Sequence, residues 1–539
     1  MKNTYSVPRI AISSPSSSSG KTTVTCALLK LLPNVAAIKF GPDFIDPLFH
    51  QKVLGRKTGN IDLFFTDEDT ARAIFAHDTT GADIVVCEGA MGYYDGADGT
   101  ERASAYATAR TLGCPVILVV DVKGKSLSVC AEINGFASFR EKNGDRSGIC
   151  GVILNRCSAS LYEKLAPLIQ KECDLRPLGF LEQNADFAIE SRHLGLVTPD
   201  AVSDLQKKIE VLTEAARKSL DIEKIKQIAF NEVEVISYNV DFFRQFYDRK
   251  NEYSLVTVQK SRRGDANSIQ TTDSSAQKSN PSACSADKSE KIRIAVAKDE
   301  AFCFYYQENL DLLEAFGAEL VPFSPLRDKL IPAGCNALYL GGGYPELFPV
   351  QLAENTTMLQ SVRMFCRSGA PVFAECGGFL YLKLAGILAG TFENKKKLVR
   401  FGYITLTANE DTLLCKKGDS IRAHEFHYFD TTENGSAFTA QKPNGTQWQC
   451  IQSAVPVKDM RSVGCGNCAG GCGKCAGGCG KCAENTDSSQ KPTIFAGFPH
   501  LYFPSNPVFA QNFVRAAQEF AKRKKSGCAN CAKKGKCHD

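Results

Sequence analysis

Short, nearly continuous apolar runs punctuate the first half of the chain, at residues 9–13, 36–40, 83–87, 115–121 and 149–155. Runs of this length without polar alternation predict strands buried on both faces. The stretches between them space their apolar positions as helices do. The pattern therefore predicts a parallel sheet covered by helices, an α/β architecture. The alternation ends near residue 248, and from 249 to 291 Ser, Gln, Asn, Lys and Asp dominate. That composition predicts a flexible linker. Strand-like runs resume at 292–297, 337–340 and 371–374, and a helical pattern covers 507–522. The expected organisation is a first domain over 1–248, the linker 249–291, a second domain over 292–525 and a tail over 526–539.

The chain has 539 residues, enough for two or three domains. A hydrophobic fraction of 43% and a charged fraction of 23% are ordinary for a globular protein. The balance of 64 basic against 59 acidic residues gives a net charge of +5, too mild to argue for nucleic acid. No apolar run reaches membrane-spanning length, and the first residues lack the apolar core of a signal peptide. A cytoplasmic protein is expected, with its 23 cysteines mostly as reduced thiols.

Three stretches carry nucleotide chemistry. Ser18-Ser19-Gly20-Lys21-Thr22-Thr23 follows the first strand and opens a helical pattern. Backbone N–H groups at such a helix start cradle phosphates, Lys21 supplies charge, and the Thr22 hydroxyl suits Mg²⁺. The loop is serine-rich, with Pro15 where the usual first glycine would stand. Two acidic clusters follow other strands, Asp43 and Asp46 after one and Glu88 after another. Parallel strands bring their carboxyl ends to one edge, where ligands bind. Asp43, Asp46 and Glu88 could there hold hydrated Mg²⁺. The plainer alternative is that Asp43 and Asp46 cap a turn or a helix.

A fourth stretch carries a nucleophile. Pro371-Val372-Phe373-Ala374-Glu375-Cys376-Gly377-Gly378 runs an apolar strand into a small-residue turn and then a helical pattern. That layout lifts the Cys376 thiol onto a tight turn rich in backbone donors. Gly341-Gly342-Gly343 follows another strand and can present further N–H groups to an oxyanion. His500, after the last strand, offers a base. The alternative for Cys376 is a small buried hydrophobe. His424 and His427 are expected on a strand, where their spacing puts them on opposite faces and argues against a shared metal site.

One tract is a true internal repeat. Within the glycine-rich stretch 464–482, three Cys-x-x-Cys pairs follow one another. They are Cys465 with Cys468, Cys472 with Cys475, and Cys479 with Cys482. The spacing suits thiolate coordination of Zn²⁺ or another soft metal, to which Cys528, Cys531, Cys537 and His538 of the tail could add ligands. So much glycine cannot build an apolar core, and a surface insertion is expected. The alternative is a reduced segment with no fixed ligand.

Taken together, these motifs resemble the cobyrinate a,c-diamide synthase family of corrinoid biosynthesis. The blocks at 39–47, 88–96, 192–196, 301–310, 341–346, 374–378 and 424–428 look like that family's blocks in the family's order. The resemblance implies a P-loop, dethiobiotin-synthetase-like parallel-sheet domain followed by a class I glutamine amidotransferase domain. It implies Cys376 as nucleophile and His500 as its base. It implies Gly20, Lys21, Thr22, Thr23 and Asp43 at ATP, with Thr22, Asp46 and Glu88 at Mg²⁺ and in carboxylate activation. The implied partners are a cobyrinate-type tetrapyrrole and glutamine. Many related amidotransferases carry Glu two residues after the base; here Tyr502 stands there, which favours a dyad over a triad. Ser18 and Ala423 stand where the family usually has glycine.

The residues leave two alternatives open. One is the same chemistry on hydrogenobyrinate or nickel-sirohydrochlorin. The other is a non-catalytic metal carrier built on the cysteine repeats, which leaves both the phosphate loop and the thiol turn without a purpose.

Overall fold

The computed structural model describes residues 2–140, 144–187, 191–192, 195–196, 199, 202, 204–239, 291–455 and 491–533. Linker residues 249–290 lie outside the described residues. So does the whole cysteine repeat, that is Cys465, Cys468, Cys472, Cys475, Cys479 and Cys482.

The first half is built on a seven-stranded sheet. Its spatial order is Gly59–Ile61, Val35–Phe40, Ile84–Glu88, Arg9–Ser13, Val116–Asp121, Ile149–Asn155 and Arg176–Leu181. Every pairing in it is parallel. The pleat explains why the strands read as continuous apolar runs. Ala11, Val85, Cys87, Val116 and Leu118 enter one core, while Ile10, Ile12, Ile84, Val86 and Ile117 enter the core on the opposite face. The expected strands are present within a residue or two of their predicted ends. The two outer strands, Gly59–Ile61 and Arg176–Leu181, carry no such run and were not expected. Lys2–Tyr5 pairs antiparallel with Ile236–Asn239, closing the two ends of this half on each other.

The second half is built on two large sheets, beside a two-stranded pairing of Phe392–Asn394 with Phe429–Thr431. One orders Ala318–Phe323, Ile292–Ala297, Ala337–Leu340, Val372–Glu375, Ile494–Gly497 and Gln452–Ala454. Its pairings are parallel except that of the last strand. The other is a five-stranded antiparallel sheet of Gln447–Cys450, Phe438–Gln441, Arg400–Ala408, Ser420–His427 and His500–Leu501. Sequence periodicity placed His424 and His427 on a strand but did not foresee this sheet. The final helix, Val508–Lys533, runs past the predicted end at 522 and into the expected tail. Among the described residues, no helix is long and apolar enough to cross a membrane.

The halves meet through aromatic and polar contacts. Tyr403 Oη donates to Asp62 Oδ2 at 2.7 Å, and Tyr502 Oη donates to the Asn60 carbonyl at 3.2 Å. Asn60 N donates to Glu308 Oε1 at 2.5 Å. Phe65 stacks on Tyr502 with ring centroids 4.8 Å apart. These contacts lie at the carboxyl edge of the first sheet, where the acidic clusters emerge.

Candidate active site

The phosphate loop leaves the strand Arg9–Ser13 and enters the helix Lys21–Leu31 through Gly20, whose φ of 97° is left-handed. A Cβ there would lie 2.1 Å from Asn155 Nδ2, so only glycine fits. Asn155 donates to the Ser19 carbonyl at 2.9 Å and holds the loop from a strand two places away in the sheet. Ser18 also has a left-handed φ of 60°, a conformation that accounts for the glycine of related loops. Lys21 Nζ donates to Ser14 Oγ at 2.8 Å, the Ser16 carbonyl at 3.2 Å and the Met91 carbonyl at 2.6 Å. Burial, with the Lys39 charge adding to it, lowers its pKa to about 8.

Behind this loop lies a buried cluster. Thr22 Oγ1 donates to Glu88 Oε1 at 2.6 Å and approaches Asp46 Oδ1 at 3.1 Å. Lys39 Nζ lies 2.5 Å from Asp46 Oδ2, 3.3 Å from Glu88 Oε1 and 3.0 Å from the Gly89 carbonyl. His50 Nε2 meets Glu88 Oε2 at 2.7 Å. Burial opposes ionisation of Glu88, but Lys39 and His50 outweigh it and hold the carboxyl below its usual range. Burial and the Glu88 charge push Asp46 up, which leaves Asp46 the weaker acid of the two. Lys39 is likewise penalised by burial and held charged by the two acids. Asp43 takes a different part: its Oδ1 accepts from Ile45 N at 2.8 Å, the turn-capping arrangement weighed for it on sequence.

Among the described residues, no group of three or more His, Cys, Asp and Glu side chains forms a ready-made metal site. The soft-metal ligands expected on sequence, Cys465, Cys468, Cys472, Cys475, Cys479 and Cys482, fall outside those residues, so no coordination geometry accompanies them. The oxygens of Thr22, Asp46 and Glu88 do converge, and they are hard donors. That set fits Mg²⁺, which binds through one or two carboxylates and completes its shell with phosphate oxygens and water.

In the second half, Cys376 caps the helix Gly377–Leu384 with φ 46° and ψ −104°, a strained conformation for a residue with a side chain. Its N–H donates to the Gly497 carbonyl at 2.7 Å, fixing the turn against the adjacent strand that leads to His500. A Cβ on Gly378 would lie 2.2 Å from the Leu340 carbonyl oxygen, and one on Gly342 would lie 2.2 Å from His500 Cε1. The glycine turn 341–343 is thus wedged between the thiol turn and the imidazole. Gly378 N donates to the Gly341 carbonyl at 3.0 Å and locks the two turns together. Burial pushes the Cys376 thiol up, with Glu346 adding to it. Burial, then the His424 and His427 charges, lower His500 to about 3, so the resting imidazole is neutral. His500 Nδ1 is buried and makes no hydrogen bond among the described residues.

The two constellations touch. Phe44, between Asp43 and Asp46, packs its ring 4.9 Å from that of His500.

Residues 293–460 match the model of the CobB/CobQ-like glutamine amidotransferase domain. A relative from Listeria innocua, named cobyrinate a,c-diamide synthase, is 36% identical over 531 residues, 95% of this chain and 99% of its own. The chain belongs to the cobyrinate a,c-diamide synthase family. Relatives of the same name from Clostridium tetani and Picrophilus torridus are 34% and 29% identical, covering 78% and 94% of this chain and 86% and 98% of their own. As a member of this family, the chain is a glutamine-hydrolysing carbon–nitrogen ligase of cobalamin biosynthesis.

Reading the sequence for this family's chemistry missed several residues at the site. Lys39 and His50 are among them: Lys39 stands one residue before the end of its strand, beside Glu88 at the end of its own, and His50 comes from a helix. Asn155 is the last residue of its strand, as Glu88 is. Glu375 precedes Cys376, and its carboxyl accepts from Leu501 N at 2.7 Å and from Tyr339 Oη at 2.8 Å. Burial raises it to about 8, and it pins the segment after His500 to the strand before Cys376.

Proposed function

We propose that this chain amidates the a and c acetate carboxylates of cobyrinate, using ATP and ammonia released from glutamine. The observation that carries the reading is the relative that matches both halves over 95% of the chain. The phosphate-loop cluster and the thiol turn give each half its own chemistry.

In the synthetase half, Gly20 and the following N–H groups receive the ATP phosphates, and Lys21 leaves its loop acceptors for the transferred phosphoryl group. Thr22, Asp46 and Glu88 would hold Mg²⁺, which when bound supplies charge neutralisation on the phosphates. Lys39 keeps Glu88 and Asp46 together and offers a cation to the acceptor carboxylate. A carboxylate oxygen attacks the γ-phosphorus, the bond to ADP breaks, and an acyl phosphate forms. Ammonia then attacks its carbonyl carbon and inorganic phosphate leaves.

In the amidotransferase half, Cys376 Sγ attacks the glutamine carboxamide. The thiol proton passes to neutral His500, which delivers it to the departing ammonia. The glycine turn 341–343 and the N–H groups after Cys376 receive the oxyanion. Water hydrolyses the thioester to glutamate. The cycle repeats for the second acetate. The cysteine repeat stands outside this chemistry and binds a soft metal through its paired thiolates.

Mass spectrometry of cobyrinate incubated with enzyme, ATP, Mg²⁺ and glutamine tests the reading, with hydrogenobyrinate and nickel-sirohydrochlorin in parallel. Conversion of cobyrinate to mono- and diamide is expected. Turnover of another of these tetrapyrroles alone would reassign the substrate, and no turnover of any would overturn the reading.

A further inference from the structure

The block at 301–310 matched the family pattern on sequence but had no part in either half-reaction. In the structure it bridges the two sites. Cys303 N and Phe304 N both donate to the Gly342 carbonyl, at 3.0 and 3.1 Å. Tyr305 Oη accepts from Gly341 N at 2.9 Å and donates to the Ala297 carbonyl. One end of the block is therefore fastened to the glycine turn that abuts His500. At the other end Tyr306 Oη donates to the Pro42 carbonyl at 3.1 Å, on the loop that leads to Asp43 and Asp46.

Phe44 of that loop closes the bridge. Its ring stacks on Phe304 at 5.3 Å with planes 10° apart, lies 4.4 Å from Tyr306 and 4.9 Å from His500. These are attractive ring separations, and the packed set admits little independent movement. Two residues further on, Asp46 contacts Lys39 and Thr22 in the phosphate cluster. A shift of the 41–46 loop on filling the synthetase site must therefore displace a ring that bears on the glutaminase base.

We infer that Phe44, held by Phe304, is a positioning residue for His500 and links glutamine hydrolysis to the state of the synthetase loop. The inference rests on the division of labour proposed above. Coupling of this kind requires a contiguous element that both sites bias, and the Phe44 loop touches both.

The test uses full-length enzyme and the variants Phe44→Ala and Phe304→Ala. Glutamate release is measured with and without ATP, Mg²⁺ and cobyrinate, and synthesis is measured with ammonium salts. In the parent, adding the synthetase substrates should raise glutaminase kcat. In both variants that rise should be lost, leaving kcat about tenfold or more below the stimulated parent, because a small misplacement of the base is costly. KM for glutamine and ammonia-driven synthesis should stay within about twofold, because binding and the phosphate cluster are untouched. Variants that respond like the parent would overturn the relay. So would a parent indifferent to the synthetase substrates. Loss of ammonia-driven synthesis in Phe304→Ala would also overturn it, by making the block a fold element. Absence of glutamine-dependent synthesis in the parent would refute the functional reading itself and the relay with it.

Discussion

Lys39 and Glu88 meet at 3.3 Å with side chains 2% and 0% exposed, on neighbouring parallel strands paired Lys39 to Glu88. The register alone sets this pair, and Asp46 joins it from the following helix at 2.5 Å. Two carboxylates and one ammonium are crowded into a largely buried space. Removing Lys39 leaves the two acids facing each other with only His50, on Glu88 Oε2, to offset them.

Lys39→Ala should therefore cost about 3–5 kcal/mol of stability, the usual penalty for stranding a buried charge. It should also stop amidation with either nitrogen source, as should Lys21→Ala, which leaves the buried cluster in place. Thermal unfolding together with an ammonia-driven assay distinguishes the two variants. Near-parental ammonia-driven turnover in Lys21→Ala would refute its role at phosphate.

Cys376→Ser should abolish glutamine-dependent synthesis and spare ammonia-driven synthesis. The thiol turn belongs to the second half, and its hydroxyl replacement is a far weaker nucleophile. Side-by-side assays with glutamine and with ammonium decide the matter. Equal loss with both nitrogen sources would place Cys376 in the fold and not in the chemistry.

The buried imidazoles should contribute less stability as pH falls. Burial lowers His424 to about 4, while burial and neighbouring histidines lower His500 to about 3, both from 6.5. Between pH 6.5 and 4 the unfolded chain binds protons that the folded chain refuses. Stability from this source is complete above pH 6.5 and falls as pH drops, by up to about 1.4 kcal/mol per pH unit for each histidine. Burial raises Asp62 to about 6, Glu346 to about 7 and Glu375 to about 8, changes of opposite sign that comparison with a variant cancels. Denaturant unfolding of parent and His424→Phe at pH 7.5 and pH 5 isolates one imidazole, and the parent should lose more on acidification. An identical loss in both would show that His424 is protonated in the folded state.

Deleting 464–482 removes Cys465, Cys468, Cys472, Cys475, Cys479 and Cys482 together. Amidation should stay largely intact and bound metal should fall, because the paired cysteines lie between the blocks that carry chemistry. Elemental analysis and an amidation assay of full-length and shortened protein check both halves of this expectation. Equal metal content would remove the metal role, and lost turnover would remove the dispensability.

The sequence by itself determined the parts whose physics is local. A strand buried on both faces must be apolar throughout, so Arg9–Ser13 and Ile149–Asn155 could be read to their ends. A side chain held on a tight turn needs small neighbours, so Cys376 and the glycines around it announced a thiol lifted onto a turn. Gly20 announced the phosphate loop because a left-handed entry into a helix excludes a Cβ. The tertiary structure alone decided which of these parts meet. Lys39 opposes Glu88 because two strands distant in sequence adopt one register, and His50 reaches Glu88 from a helix laid over them. The outer strand Gly59–Ile61 and the five-stranded antiparallel sheet take their form from their neighbours more than from their own periodicity. Phe44 reads in the sequence as one more apolar residue in an acidic loop. It lies against His500 only because two cores pack at one sheet edge, a contact fixed by long-range burial that no local pattern encodes.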